Sequence, residues 1–305
     1  MSANCKATDS GILNRKAFLK ENQTQSVFRQ TVQMFFEHKT AVAGLIVFMI
    51  IFLLTIFADV LADYDTVVIG IDPRNRLLPP SMEHLFGTDE LGRDVFARVI
   101  HGARISLKIG SLSIMLAATI GCTLGAVAGY YGGFVDTLIM RFTDIFVCLP
   151  SMMLAIAIVA AFGNTQTNLI LAIGLSRSVH FTRIVRSAVL SVSGIDYVEA
   201  ARTIGAKDSD IIFKHILINC LGPIIVQVTV GLAGAITSIS GLSFIGLGIS
   251  APAPEWGNML ASARAYMRDH ANLVLAPGLS IFATTLSLNL MGDGLRDALD
   301  PKLRK

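Results

Sequence analysis

Long uncharged stretches alternate with short charged ones along most of the chain. Apolar runs of about 18 or more residues are typical of helices that cross a membrane. Such runs occur at residues 40–58, 109–135, 145–176, 216–254 and 271–292. The run at 145–176 is too long for one span, and a polar turn at 163–168 divides it. The pattern therefore predicts six transmembrane helices.

The composition agrees with a membrane protein and argues against other classes. Hydrophobic residues make up 53% of the 305 positions and charged residues only 15%, whereas soluble domains carry about a quarter charged residues. The lipid bilayer is therefore the expected partner of much of the surface, and the net charge of +3 is too small to indicate nucleic acid binding. The four cysteines have no CxxC spacing, which argues against a zinc site or a disulfide framework.

The distribution of charge predicts the orientation of the chain. Residues 1–39 are polar and basic, and we expect a cytoplasmic N-terminal tail with a possible amphipathic helix. The first transmembrane helix is predicted at 40–61 and an extracytoplasmic segment at 62–104. Residues 105–305 are predicted to form a five-helix core with a loop near 193–208. An even number of spans places both termini on the same side of the membrane. Since the basic N-terminal tail is expected in the cytoplasm, the C-terminus is expected there as well.

Glycines repeat every fourth residue in the second span. Gly121, Gly125 and Gly129 lie on one helix face. In a membrane, such a face allows another helix to approach closely. Chance retention of glycine is the alternative, and three glycines in register make it the weaker one. We therefore predict a helix-packing face here.

Several other positions predict local features of the spans. Arg141 and Asp144 are three residues apart and fit one helix face as an ion pair. Pro150 and the dipeptide at 222–223, a glycine and a proline, are expected to bend their helices. Trp256, the only tryptophan, is expected to lie at the membrane interface.

The extracytoplasmic segment contains a charged stretch before the second span. Thr88 or Asp89 is expected to cap the helix that follows. Asp94 and Arg98 are four residues apart, which predicts an ion pair within that helix. Because these charges can pair with one another, a structural role is favoured over contact with a solute.

A short polar stretch at 193–208 lies between two apolar blocks. Asp196 is a predicted N-cap, and Glu199 stands three residues later, at the spacing of a capping box. Ala200 and Ala201 favour helix with little bulk, and Gly205 is placed to end it. The pattern predicts a two-turn helix with a small alanine face, which suits docking into a groove on another protein. An ordinary linker helix is the alternative.

This stretch resembles a known motif. Glu199, Ala200 and Ala201, followed by Gly205 and then by Ile and Leu at 216–217, resemble the EAA loop of ABC importer permeases. In that family the loop forms a coupling helix that docks in a cleft of the cytoplasmic ATPase subunit. One residue departs from the pattern. The family usually has a proline where Ile218 stands, so the bend expected there is absent or is supplied by residues 222–223.

Other segments are similar to one branch of the same family. The sequence at 86–98, FGTDELGRDVFAR, resembles the FGTDxxGRDxxxR element of dipeptide, oligopeptide and nickel permeases. Residues 129–151 and 242–257 are similar to that branch as well. The resemblance extends over residues 30–305, and the additional N-terminal span is typical of the C-type subunit.

The resemblance implies a fold, a location and a set of partners. The fold is that of an all-α membrane protein of the type I ABC importer permease class, with six transmembrane helices and a cytoplasmic EAA coupling helix. The implied location is the cell inner membrane. The implied partners are a second homologous permease subunit, two ATPase subunits that bind the ATP, and an extracytoplasmic solute-binding protein. The chain itself is expected to hold no cofactor or metal and no catalytic residues.

The implied function is ATP-driven import of a di- or oligopeptide, with hydrolysis carried out by other subunits. The chain has no GxxxxGK[ST], HExxH or GxSxG motif that would make it an ATPase or a protease. Nickel and glutathione systems share these features, and the sequence does not identify the residues that line the pathway. A secondary carrier or channel is the alternative from another class, and a receptor without transport is a second. An ion-coupled carrier is expected to have carboxylates at mid-membrane, whereas those of this chain lie near span ends or in loops.

Overall fold

The computed structural model describes residues 27–300, and all of the regular elements within that range are helical. Most of the predicted cytoplasmic tail at 1–39 and the last five residues lie outside the described range. Helix α1 is Val27–Glu37, α2 is Lys39–Ile56 and α3 is Ala58–Leu61. The buried ring of Phe35 on α1 packs with Ala41 and Ala298, which joins α1 to both α2 and the last helix.

The predicted extracytoplasmic segment folds back on itself before the next helix. It contains a π-helical turn at Tyr64–Val68 and a 3-10 turn at Pro73–Asn75, and an antiparallel bridge joins Thr88 to Asp94. This reversal places the buried Asp89 carboxylate 2.7 Å from Arg93 Nε and 3.4 Å from Arg98 Nε.

Two predictions for this segment were wrong. Neither Thr88 nor Asp89 caps the helix that follows, and Asp94 does not form an ion pair with Arg98. Helix α4, Val95–Tyr131, is capped by Asp94, whose Oδ1 accepts a 2.8 Å hydrogen bond from the Ala97 amide. The other oxygen of Asp94 lies 2.8 Å from His84 Nδ1, so Asp94 does not pair with Arg98. The chain reversal places Asp89, rather than Asp94, next to Arg98. Residue spacing along a single helix does not predict this contact.

Helices α4 and α7 pack against each other more extensively than any other pair of helices in the described range, and α5 and α6 lie between them along the chain. Helix α5 is Gly133–Val147, α6 is Ser151–Phe162 and α7 is Gln166–Ser193. Gly132 and Gly133 have φ values of 63° and 50°, which glycine adopts readily and which reverse the chain between α4 and α5. Helices α5 and α6 meet at 81°, with Pro150 at the N-cap of α6. The predicted bend at Pro150 is confirmed.

The chain then passes through a short helix to the last three helices. Helix α8 is Asp196–Thr203, and a helical connector follows at Asp208–Asp210, Ile211–Ile216 and Leu217–Asn219. Helix α9 is Leu221–Phe244, α10 is Trp256–Ala263 and α11 is Asn272–Leu299. The helical path is interrupted at Cys220, after Ile218. Pro223 lies in the first turn of α9, where proline is tolerated.

The prediction that Trp256 is an interfacial anchor was wrong, because its side chain is buried in the protein. Its side chain is 1% exposed, and its indole Nε1 donates a 2.9 Å hydrogen bond to the Val99 carbonyl on α4. Gly102 makes this approach possible, since a Cβ there would lie 2.3 Å from the Pro254 carbonyl oxygen and 3.0 Å from the indole. The tryptophan therefore fixes α10 against α4 inside the protein.

Four helices of the described range are long and apolar enough to cross a membrane, namely α2, α4, α9 and α11. The bent pair of α5 and α6 gives five if it counts as one span. Helix α7 has 28 residues and includes Arg177, Arg183 and Arg186. Two of these arginines pair with aspartates of α5. The count of six spans includes α7 and stays a prediction.

Candidate functional site

Helix α8 is the short helix that the sequence predicts at the loop near 193–208. It begins after Ile195, whose extended backbone (φ −85°, ψ 143°) is the N-cap, and no side chain caps it. The predicted N-cap at Asp196 was therefore wrong, because Asp196 is already the first helical residue. Asp196 and Glu199 both lie in the first turn, where negative charge is stabilised by the helix dipole.

The end of α8 is fixed by Gly205. This residue has a φ of 81°, and its amide donates to the Arg202 carbonyl at 3.0 Å. The next amide, of Ala206, donates to the Ala201 carbonyl at 3.1 Å. Together these two bonds form a Schellman motif, which ends the helix sharply. The motif leaves the side chain of Ile204 84% exposed.

One side of α8 is buried in the protein and the other is free. Val198 and Ala201 are buried and pack with Tyr130 of α4 and Val189 of α7. Ala200 is exposed. The two alanines therefore do not form one docking face, because consecutive helical residues point about 100° apart. The free face presents Ile195, Glu199, Ala200, Thr203 and Ile204.

A network of polar side chains ties α8 to the end of α4. The Tyr130 hydroxyl donates to Asp208 Oδ1 at 2.7 Å, and the Tyr131 hydroxyl donates to Asp208 Oδ2 at 3.1 Å. Arg202 Nε donates to the Tyr130 oxygen at 3.3 Å, and the Arg202 guanidinium lies 4.7 Å from the centre of the Tyr130 ring. Such a cation–π contact adds to the hydrogen bonds. Sequence reasoning missed this network, whose members are far apart along the chain.

A second tie joins α8 to the connector that follows it. Asn219 Nδ2 donates to the Tyr197 oxygen at 3.0 Å and to the His215 carbonyl at 2.6 Å. Partial burial raises the pKa of the Tyr197 hydroxyl above its ordinary value, so the phenol stays neutral at physiological pH. Helix α8 is therefore held from both of its ends.

The three glycines of α4 lie against α7. A Cβ on Gly121 would be 2.3 Å from Phe181 Cβ, and one on Gly125 would be 2.6 Å from the Thr182 carbonyl oxygen. A Cβ on Gly129 would be 2.8 Å from Val189 Cγ1. The backbones of α4 and α7 are in close contact along this face. Since α7 leads directly into α8, this contact also positions α8.

Two ion pairs join α5 to α7. Arg186 donates both Nε and Nη2 to the Asp136 carboxylate, the second at 2.6 Å. Arg183 Nη2 donates to Asp144 Oδ1 at 2.6 Å. The predicted pair of Arg141 with Asp144 was wrong, because Asp144 faces the basic side of α7. Arg183 and Arg186 of α7 thus both have carboxylate partners on α5.

Comparison with known proteins agrees with this architecture. Residues 121–305 match the family model described as binding-protein-dependent transport system inner membrane component. Residues 26–80 match the N-terminal TM domain of oligopeptide transport permease C. The fold is similar to that of the MetNI methionine ABC transporter, with a TM-score of 0.54 and 16% identity over 67% of this chain and 96% of that one.

Relatives of similar length carry specific names. The chain is 45% identical to the dipeptide transport system permease protein DppC of Alkalihalophilus pseudofirmus, over 92% of this chain and 91% of that protein. It is 43% identical to the di/tripeptide transport system permease protein DppC of Pseudomonas aeruginosa, over 92% and 93%. It is 40% identical to the glutathione transport system permease protein GsiD of Escherichia coli O157:H7, over 96% of both. The chain therefore belongs to the family of binding-protein-dependent transport system inner membrane components and is the multi-pass permease component of an ABC importer.

Proposed function

We propose that this permease imports di- or oligopeptides. The observation that carries this proposal is the 45% identity, over nearly the whole length of both chains, with a permease named for dipeptide transport. The di/tripeptide permease at 43% identity supports the same class of solute. Both relatives are DppC proteins, and the match at 26–80 supports assignment as the C-type subunit.

We also propose that α8 is the coupling helix of the complex. Its inner side is fixed to α4 and α7, while Glu199, Ala200 and Ile204 remain free for a partner. A rigid helix with one free face can pass a movement of the partner on to the helices behind it. The partners are two cytoplasmic ATPase subunits that bind and hydrolyse the ATP. A second homologous permease and an extracytoplasmic binding protein complete the complex.

The proposed topology follows from this role. Helix α8 is cytoplasmic, and α7 crosses the membrane as the sixth span. Both termini then lie in the cytoplasm. The pairing of Arg183 and Arg186 with Asp144 and Asp136 supports a spanning α7, because paired charges are tolerated within a helical bundle.

Reconstitution of the whole complex in proteoliposomes tests the function. Uptake of a labelled dipeptide is expected to require both ATP and the binding protein. A complex with hydrolysis-deficient ATPase subunits is the control. Uptake driven by an ion gradient without ATP would support a secondary carrier instead.

Glutathione is the second candidate solute, favoured by the relative that is 40% identical over 96% of the chain. In the same vesicles, unlabelled dipeptide is expected to compete with the labelled one, and glutathione to compete weakly. Uptake of glutathione with none of dipeptide would reverse the assignment.

A further inference from the structure

Two adjacent cavities meet at one arginine in the middle of α7. The first, about 310 Å³, lies between α7 and the bend of α5 and α6, and Pro150 and Ser151 line it. The second, about 300 Å³, lies between α7, α9 and α11, and Thr285 and Asn289 line it. Both cavities share Arg177, His180, Gln227 and Gly231 in their walls. Arg177 therefore lies between the bent pair of α5 and α6 on one side and α9 and α11 on the other.

The guanidinium of Arg177 has far more donors than partners. Its Nη2 donates to Ser238 Oγ at 3.0 Å, and Ser238 uses its own proton in a 2.9 Å bond to the Gly234 carbonyl. Among residues 27–300, Ser238 is its one hydrogen-bonded partner, and no carboxylate lies within ion-pair distance. A guanidinium offers five N–H donors, so most of those of Arg177 remain free for another molecule.

The surroundings leave this positive charge uncompensated. Of the described residues, none of those lining either cavity is Asp or Glu. Arg183, which also lines the first cavity, is already paired with Asp144. A charged side chain in a membrane helix is costly, and such residues commonly mark a substrate pathway. The planar fork of a guanidinium matches a carboxylate with two parallel hydrogen bonds.

We propose that Arg177 binds the carboxylate of the transported peptide inside the permease, with the Gln227 amide as a second contact. This assignment rests on the proposed peptide import. The anion arrives through the binding protein, contacts the free donors of Arg177, and leaves when the surrounding helices move. Binding energy there offsets the cost of taking the carboxylate out of water.

The test is Arg177→Gln in the complete reconstituted complex, with the loaded binding protein in excess. Peptide uptake is expected to fall about tenfold or more, since a hydrogen bond to a charged group contributes about 1.5–3 kcal/mol. ATP hydrolysis stimulated by the loaded binding protein is expected to persist, because the docking surfaces are unchanged. Arg177→Lys keeps the charge but loses the planar fork, so its uptake is expected to lie between that of the wild type and that of Arg177→Gln.

Ser238→Ala is the matched control, because it removes the one intramolecular partner and keeps the guanidinium. Uptake near the wild-type rate is expected. A loss equal to that of Arg177→Gln would show that the arginine only braces α7 against α9, and unchanged uptake in Arg177→Gln would overturn the site directly.

A further variant covers the case in which Arg177→Gln does not assemble. A Cβ on Gly234 would lie 2.7 Å from both terminal nitrogens of Arg177, so Gly234→Ala displaces the guanidinium without removing it. Uptake is expected to fall, and normal uptake would contradict the proposal. Failure of the wild-type complex to take up any peptide would instead overturn the proposed function, and the site with it.

Discussion

The Tyr130 hydroxyl, at the end of α4, donates a 2.7 Å hydrogen bond to Asp208, the first residue of the connector after α8. The two residues are separated by the whole of α5, α6, α7 and α8. Arg202 of α8 contacts the same tyrosine by a hydrogen bond and by its position over the ring. These contacts attach α8 to α4, so the two helices are expected to move together.

Removal of this hydroxyl is expected to loosen α8. Tyr130→Phe loses the bond to Asp208 and the acceptor for Arg202, at a cost of about 1–2 kcal/mol. Hydrogen exchange at residues 196–208 should become faster, while the spans stay protected. Tyr131→Phe is the matched control, since it removes only a 3.1 Å bond from an exposed ring. Equal exchange in Tyr130→Phe and wild type would contradict the proposed tie.

Close packing of α4 on α7 gives a second prediction. Gly125→Ala is expected to destabilise the protein by about 1–3 kcal/mol, because the new Cβ meets backbone that cannot turn aside. Gly278→Ala in α11 is the control, since its Cβ would have ordinary contact at 3.9 Å and alanine favours helix. Thermal unfolding in detergent should show a lower midpoint for Gly125→Ala alone. Similar midpoints would mean that this face is not tightly packed.

Because Asp136 pairs with Arg186, exchanging the two charges should restore part of the stability that the single substitution removes. Asp136→Arg alone places like charges together and should lower both the abundance of the protein and its midpoint of unfolding. The double variant with Arg186→Asp restores opposite charges and should recover part of that loss. The same two measurements on four proteins, the wild type, each single variant and the double variant, form a double-mutant cycle. Purely additive effects would show that the pair contributes no coupling energy.

Topology can be tested by thiol labelling in a chain whose four cysteines are replaced by alanine. Met82→Cys, in the segment between α3 and α4, should react with a membrane-impermeant reagent in intact cells, since Met82 is 97% exposed. Ile204→Cys should react only after the cells are opened. The opposite pattern would invert the orientation of the chain.

Much of the helical pattern could be predicted from the sequence, because apolar runs and helix breakers are local signals. The bend at Pro150 and the glycine end of α8 are of this kind. Contacts between distant segments could not be predicted this way. Spacing places Asp144 near Arg141, while the fold places it against Arg183.

In the candidate site, too, local features could be predicted from the sequence and contacts between distant segments could not. The motif at 199–201 locates a short helix, yet it does not tell which alanine faces inward. That choice depends on where Tyr130 and Val189 lie in three dimensions. The burial of Trp256 is a similar case, since hydropathy alone does not distinguish a core tryptophan from an interfacial one.

The proposed docking of the free face of α8 on the ATPase can be tested with Ala200→Trp. The large ring should block docking without entering the core, because Ala200 is exposed whereas Ala201 is buried. Glu199→Lys is a second variant, which reverses a first-turn charge at a local cost of about 1 kcal/mol. Val60→Trp, at an exposed position outside α8, is the control for the added ring.

The measurement is ATP hydrolysis stimulated by the loaded binding protein in reconstituted complexes, together with the amount of permease present. We expect normal amounts of permease in all variants, with stimulation largely lost in Ala200→Trp and reduced in Glu199→Lys. Val60→Trp should behave as wild type. Full stimulation in Ala200→Trp, at a normal amount of permease, would contradict the assignment of α8 as the coupling helix.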